Sequence, residues 1–203
     1  MIWAAGVAGP VLFIASWVTA GMLREGYDPT THAISRLAAF ETPDRWIVTA
    51  GIVAFGIGAV IFGLGIRRHI GSGAGLALVA AGLTSFAVAV FPCTKGCPGP
   101  GDFTDTAHVI AAGAHYVAFT LAVLLAGREN MRRSGAGYRT FCFMTGGLAA
   151  LALSAQGLGM GPNGLMQRIG LTLNDFWMIV TALMLWRRAR PRAVKRIVFQ
   201  PTD

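Results

Sequence analysis

The stretch from Trp46 to Ile66 reads WIVTAGIVAFGIGAVIFGLGI and contains no Lys, Arg, Asp or Glu. At 1.5 Å of rise per residue it spans about 30 Å as a helix, the thickness of a bilayer's hydrocarbon core. A soluble helix of that length carries a polar face returning every 3.6 residues, whereas here apolar residues and glycine lie on every side. The stretch therefore predicts a membrane-spanning helix. Five more share its character: residues 1–23, 70–94, 106–127, 140–167 and 169–186, the last interrupted by Asp175. The expected fold class is all-α: a polytopic membrane protein built as a six-transmembrane-helix bundle. Residues 1–190 form its single domain and residues 191–203 a basic tail. A composition of 54% hydrophobic and 13% charged residues excludes a compact soluble domain. The first stretch has no basic region before its apolar run, and Gly and Pro punctuate it, so it is read as helix one rather than a signal peptide.

The net charge of +8 is unevenly placed. Arg67 and Arg68 follow helix two; Arg128, Arg132, Arg133 and Arg139 flank the connection after helix four; Arg187, Arg188, Arg190, Arg192, Lys195 and Arg196 follow helix six. The other three connections hold only Arg24, Arg36, Arg45, Lys95 and Arg168. The positive-inside rule then predicts cytoplasmic N- and C-termini, with the first, third and fifth connections facing outward from the cell (cytoplasmic) membrane. The tail from Arg187 to Arg196 is expected to anchor helix six against anionic headgroups, so the bilayer is the expected partner. No nucleic-acid partner is expected, because no aromatic or folded module accompanies the basic residues. Oligomeric state has no signature in the sequence.

Orientation sorts the polar side chains, most of which fall on the outward side. In the first connection, Asp28-Pro29-Thr30-Thr31 is a turn feeding a helix start, and Ile34, Leu37 and Ala38 repeat at helical spacing. The pattern predicts a short interfacial helix over residues 30–40 lying across the outer mouth, the alternative being a solvated loop. Tyr27, Asp28, His32 and Ser35, with Asp105 at the start of helix four, form an outer-face cluster. The third connection contains Pro98-Gly99-Pro100-Gly101 and is irregular. Its Cys93 and Cys97 are placed for a small-loop disulfide on an oxidising face, or for half of a zinc site. Cys142 is expected to be an unpaired apolar filler, and His69 a headgroup-facing residue.

Asp105, His108 and His115 recur three and seven residues apart, on one face of helix four. Asp105 and His108 are close enough to pair. The two histidines are about 10 Å apart along the helix, too far to share a metal directly. A metal site, with zinc as the candidate, would need His32 beside Asp105 and His108; the alternative is a hydrogen-bonded cluster at the helix start. Asp175 lies about 15 Å along helix six, near the midplane, where an unpartnered acid costs on the order of 3 kcal/mol. His115 reaches a like depth, and the two are expected to meet, with Asn174, Gln156, Ser154, Thr84 and Ser85 nearby; alternatively these groups serve as interhelical glue. Arg168 is expected either to pair with Asp105 or to snorkel to headgroups. A bis-histidine haem is not expected, since only one imidazole is deep. Gly51, Gly56, Gly58 and Gly63 allow close helix approach, and the run Gly159-Met160-Gly161-Pro162 ends helix five. Ser-Gly-Ala-Gly follows paired arginines before helix three and again before helix five, hinting at a duplicated hairpin.

Tyr27-Asp28-Pro29 with Thr31, Ile34, Ser35 and Leu37, then Phe91-Pro92-Cys93, His108, and Gly164 with Gln167 and Arg168, resemble the bacterial and archaeal membrane family catalogued as domain of unknown function 998. The resemblance implies a six-helix membrane protein and supplies no reaction. From the residues themselves, an outward pocket of His108, His115, Asp175, Gln156, Arg168 and Asn174 is expected to bind or transport a small amphipathic or lipid-like ligand. One alternative is an intramembrane metal-dependent hydrolase, in which His32, Asp105 and His108 hold zinc that activates water against a lipid or acyl substrate. A second is an accessory subunit of a membrane complex.

Overall fold

The structure, a computed structural model, describes residues 2–129 and 135–189. Six helices follow one another: α1 (Ile2–Leu23), α2 (Arg45–Ile66), α3 (Ser72–Val90), α4 (Phe103–Glu129), α5 (Gly135–Gly157) and α6 (Asn163–Ala189). No strand occurs among the described residues. All six are long and apolar enough to cross a membrane. Each packs against the next, α6 closes the ring on α1, and α4 also touches α6 across the bundle. The long connections after α1 and α3 and the α5–α6 turn share one end, called here the loop face. Arg67, Arg68, Arg128, Arg139, Arg187 and Arg188 gather at the other, the basic end. Arg132, Arg133 and the basic tail from Arg190 onward lie outside the described residues, as does Ser134 of the suggested repeat.

The core is built from the inner faces of several helices: Phe62, Leu78, Phe119, Val123, Trp177 and Met178 are fully buried. Leu12, Ile57, Leu64, Ile110 and Leu151 face outward, where a surrounding lipid phase imposes no penalty on apolar surface. Glycine sets the spacing between α2 and α3. A Cβ on Gly56 would stand 3.0 Å from the Gly82 carbonyl oxygen, and one on Gly63 2.8 Å from that of Gly75. The two pairs are seven residues apart on each helix, so the antiparallel backbones meet closely over two turns. α1 approaches α2 in the same manner, at Gly9 against Gly58.

The glycine run ends helix five as the sequence suggests, while the start of α6 and the first connection differ from the sequence reading. Helix five ends at Gly157, and Gly159 and Gly161, at φ of +68° and +92°, turn the chain through conformations that favour glycine. α6 then begins at Asn163, so Arg168 lies inside the helix rather than at its start. The predicted interfacial helix over residues 30–40 is also corrected. The chain makes a single 3-10 turn, Ile34–Leu37, and Ala33, Ile34, Leu37, Ala38 and Ala39 are all buried. The apolar stripe is real, but it is spent inside the mouth of the bundle instead of on the bilayer surface.

At the basic end, Glu129 closes α4 by accepting hydrogen bonds from the backbone N–H groups of Gly73 (3.1 Å) and Ala74 (3.0 Å), two of the unsatisfied donors of α3. Side chains at Gly71 or Gly73 would collide with that carboxylate. Glu129→Ala is expected to lower stability by about 1 kcal/mol, read as a small fall in the thermal unfolding midpoint in detergent. His69 is exposed and meets Trp3 edge-on at 5.1 Å between ring centroids. Cys142 is free and buried, accepting a weak hydrogen bond from Trp177 Nε1 at 3.3 Å.

Candidate functional site

The first connection is strapped to the beginning of α6. Asp28 folds it locally, its Oδ1 accepting from the Thr30 N–H and its Oδ2 from the Thr31 hydroxyl, both at 2.8 Å. These bonds, the backbone one foremost, hold the Asp28 carboxyl below its ordinary pKa. Their contribution to the turn is present above the usual carboxylate range and is lost as pH falls through the depressed value. The Asp28 N–H donates to His32 Nδ1 at 3.1 Å. From α6, Arg168 Nη1 donates to the carbonyl oxygens of Pro29 (2.6 Å), His32 (2.9 Å) and Gly164 (3.0 Å), and Nη2 donates to the Tyr27 hydroxyl. The guanidinium also stacks over Trp17 and Tyr27. Burial raises the Tyr27 pKa, with Arg168 opposing the rise. Leu165 N–H reaches Thr30 O at 2.7 Å, and Ile34 N–H donates to Gln167 Oε1 at 2.6 Å. The expected Arg168–Asp105 ion pair is not made; Nη1 and Nη2 are turned to these oxygens, and Asp105 is bound by Thr94.

Asp105 and His108 hold the third connection instead of each other. Asp105 accepts from Thr94 N–H (2.8 Å) and Thr94 Oγ1 (2.7 Å), while His108 Nδ1 donates to Phe91 O at 2.8 Å. Cys93 and Cys97 form a disulfide, with Cα atoms 5.2 Å apart. The Cys93 carbonyl accepts from Phe40 N–H at 2.9 Å, tying this loop to the first. His32, Asp105 and His108 are thus each directed to a different partner. No group of three His, Cys, Asp or Glu placed to hold a metal occurs among the described residues.

Two cavities lie beneath these loops. The larger, about 710 Å³, is a cleft between α4 and α5, walled by Val117, Leu121, Leu124, Ala150 and Leu153. Arg36, Gln156, Asn163 and the disulfide loop line its loop-face end. Val117 is 68% and Leu121 45% exposed, so the cleft opens sideways, toward the membrane. The smaller, about 60 Å³, is a chamber reaching Ser85, His115 and Asp175 among Phe13, Phe55 and Leu171. Ser35, His108, Ala112, Tyr116 and Gln167 line both cavities and form their common wall. Tyr116 anchors that wall: Gln167 Nε2 donates to its oxygen at 2.7 Å.

His115 and Asp175 are each the thirteenth residue of a 27-residue helix, and α4 and α6 both start at the loop face. The equal depth read from the sequence therefore holds, and both residues line the chamber. The hydrogen bond expected between them is not formed. His115 turns to α3, its Nδ1 lying 3.0 Å from Ala81 O and 3.1 Å from Ser85 Oγ. Asp175, 1% exposed, has Oδ2 without a hydrogen-bond partner. The α4–α6 contact is bridged by Asn174 Nδ2, which donates to Thr120 Oγ1 at 3.0 Å. Ser, His and Asp line one chamber, yet they are not a nucleophilic triad. Ser85 donates its proton to Ala81 O at 2.9 Å and meets only the nitrogen of His115 that is itself hydrogen-bonded to that carbonyl.

The first-loop and α6 residues singled out by the sequence therefore converge, as do Phe91 and His108, while Asp105 and Asp175 have other surroundings than expected. Thr94, Glu129 and the Phe91 and Ala81 carbonyls carry no sequence signal of their own. Thr94 was readable only as a loop residue, and a backbone oxygen looks alike at every position. The family described as protein of unknown function (DUF998) matches the chain over residues 7–184. No curated protein and no solved structure matches it.

Proposed function

The chain belongs to the DUF998 family and carries six helices apt to cross a membrane, and from its cavities we propose that it binds or transports a small amphipathic or lipid-like ligand, admitted sideways between α4 and α5. The observation that carries this reading is the cleft of about 710 Å³. Its size is that of a ligand site, its walls are apolar along the helices, and its polar groups gather at the loop-face end. An amphiphile entering from the side meets apolar walls for its chain and, toward the loop face, polar groups along its headgroup's way inward. The distribution of arginines supports orienting the loop face outward, so that the ligand is met in the outer leaflet.

Gly113 supplies the test. It lines the cleft, and a Cβ there meets nothing within 4 Å, so a large side chain enters empty space rather than a packed seam. In lipid nanodiscs, a diazirine-bearing octanol is expected to label α4 and α5 residues of the cleft in the wild type. Gly113→Trp should reduce that labelling roughly tenfold, a loss of contact worth about 1.4 kcal/mol, with the thermal midpoint held. Equal labelling of both proteins, or labelling spread evenly over the outer surface, sinks the reading.

A further inference from the structure

Three polar groups of the inner chamber, His108, His115 and Ser85, share one property: each directs a donor to a backbone carbonyl. A carbonyl oxygen only accepts, so the contacts of His108 Nδ1 with Phe91 O and of His115 Nδ1 with Ala81 O place a proton on each Nδ1. A neutral imidazole bonded in this way keeps Nε2 as a lone-pair acceptor. The Ser85 hydroxyl donates to Ala81 O, which leaves its oxygen lone pairs. Asp175 adds a carboxyl group whose Oδ2 has no partner although the residue is 1% exposed. The inner end of the chamber, at Ser85, His115 and Asp175, is rich in acceptors and bears one acid, with no Lys or Arg in the lining. Buried acceptors left unmatched are costly, and a buried carboxylate most of all.

We propose that the chamber takes the primary ammonium headgroup of an amphiphile, with Asp175 as its counter-ion. This deepens the reading of the cleft as a ligand site and rests on it. An R–NH3+ group has three donors and no acceptor, the complement of what the chamber offers. About 60 Å³ admits an ammonium and its first methylene but not a sugar or a phosphate ester. The aromatic wall suits a cation as well: Phe55 stands 5.4 Å from the His115 ring and 6.0 Å from Phe13, and aromatic faces attract a desolvated ammonium. A metal ion is the other acceptor-seeking guest, but its ligands must converge on one point at about 2.0–2.2 Å. No such group of three is present among the described residues. The proposed path from the bilayer runs through the cleft and past His108, Tyr116 and Gln167, which line both cavities. At the cleft's loop-face end Arg36 and Asp105 oppose one another in charge, so the single acid deciding headgroup sign is Asp175.

The test is competition against the diazirine octanol in neutral phosphatidylcholine nanodiscs, using unlabelled octylamine, octanol and octyltrimethylammonium. In the wild type, octylamine is expected to compete at roughly tenfold lower concentration than octanol, the equivalent of about 1.4 kcal/mol. In Asp175→Asn that ratio should fall to near one, and comparing ratios cancels partitioning into the bilayer. Octyltrimethylammonium, which carries the charge without N–H donors, should lose the advantage in the wild type, a measurement that stands even where the variant fails to fold. Equal competition by octylamine and octanol in the wild type overturns the ammonium assignment while leaving the cleft standing. So does an octylamine preference that survives Asp175→Asn, or stoichiometric zinc in the purified protein that is lost in that variant. Absence of any cleft labelling by the octanol probe overturns the underlying ligand reading instead.

Discussion

Gly63→Leu should leave little or no folded protein. A Cβ at this position stands 2.8 Å from the Gly75 carbonyl oxygen and 3.0 Å from the Val79 backbone nitrogen. Neither can yield unless α2 and α3 separate along their whole contact. The reciprocal contacts at Gly75 and at Gly56 with Gly82 are equally close, so relief at one point forces strain at the next. Overpacking a seam made of backbone costs more than overpacking among side chains, and a loss above about 3 kcal/mol is expected. Fluorescence-detected size exclusion should show the monodisperse peak lost for Gly63→Leu and reduced for Gly63→Ala. Full recovery of the leucine variant at wild-type stability would mean that α2 and α3 are not held at this distance.

Arg168→Ala is expected to release the first connection while the six helices remain. The guanidinium donates to the Tyr27 hydroxyl and three carbonyl oxygens and lies over two aromatic rings. Charge-assisted bonds of this kind are each worth about 1.5–3 kcal/mol and do not add fully, which places the loss near 2–4 kcal/mol. Most of it should appear locally, as trypsin cleavage at Arg36 accelerated by roughly tenfold or more, because local opening sets the cleavage rate. Arg168→Lys should not restore protection, since one ammonium cannot span the carbonyls that the planar fork reaches. Protection unchanged in Arg168→Ala would show that Gln167, through its 2.6 Å bond from Ile34 N–H, holds the loop alone.

Much of the fold is legible because lipid filters composition so strongly. Uncharged runs such as residues 46–66 have one stable outcome at that length, and the helix ends observed at Arg45 and Ile66 follow. The glycines at 56, 58 and 63 also announce helix contacts, and they occur there. The residues 30–40 mislead because an amphipathic pattern records that one side is apolar, not whether the apolar partner is lipid or the bundle's own mouth. The equal depth of His115 and Asp175 follows from counting, but their hydrogen bonds do not. His115 is claimed by the Ala81 carbonyl, a group every residue carries and no sequence distinguishes. Asp105 shows the same limit, since Thr94 reaches it from a loop whose Gly and Pro residues define irregularity without defining its path.

Arg168 recognises the first connection largely through main-chain oxygens, and this sets where the protein tolerates change. The carbonyls of Pro29 and His32 remain whatever side chains those positions carry, whereas the guanidinium has no substitute among the other residue types. Gly164 shares the restriction, because a Cβ there would strike the same two oxygens. Variation can accumulate on the strapped side of the latch while the strap itself stays fixed. The rim of the cavity, which meets whatever arrives, is thereby free to diversify without loosening the closure beneath it.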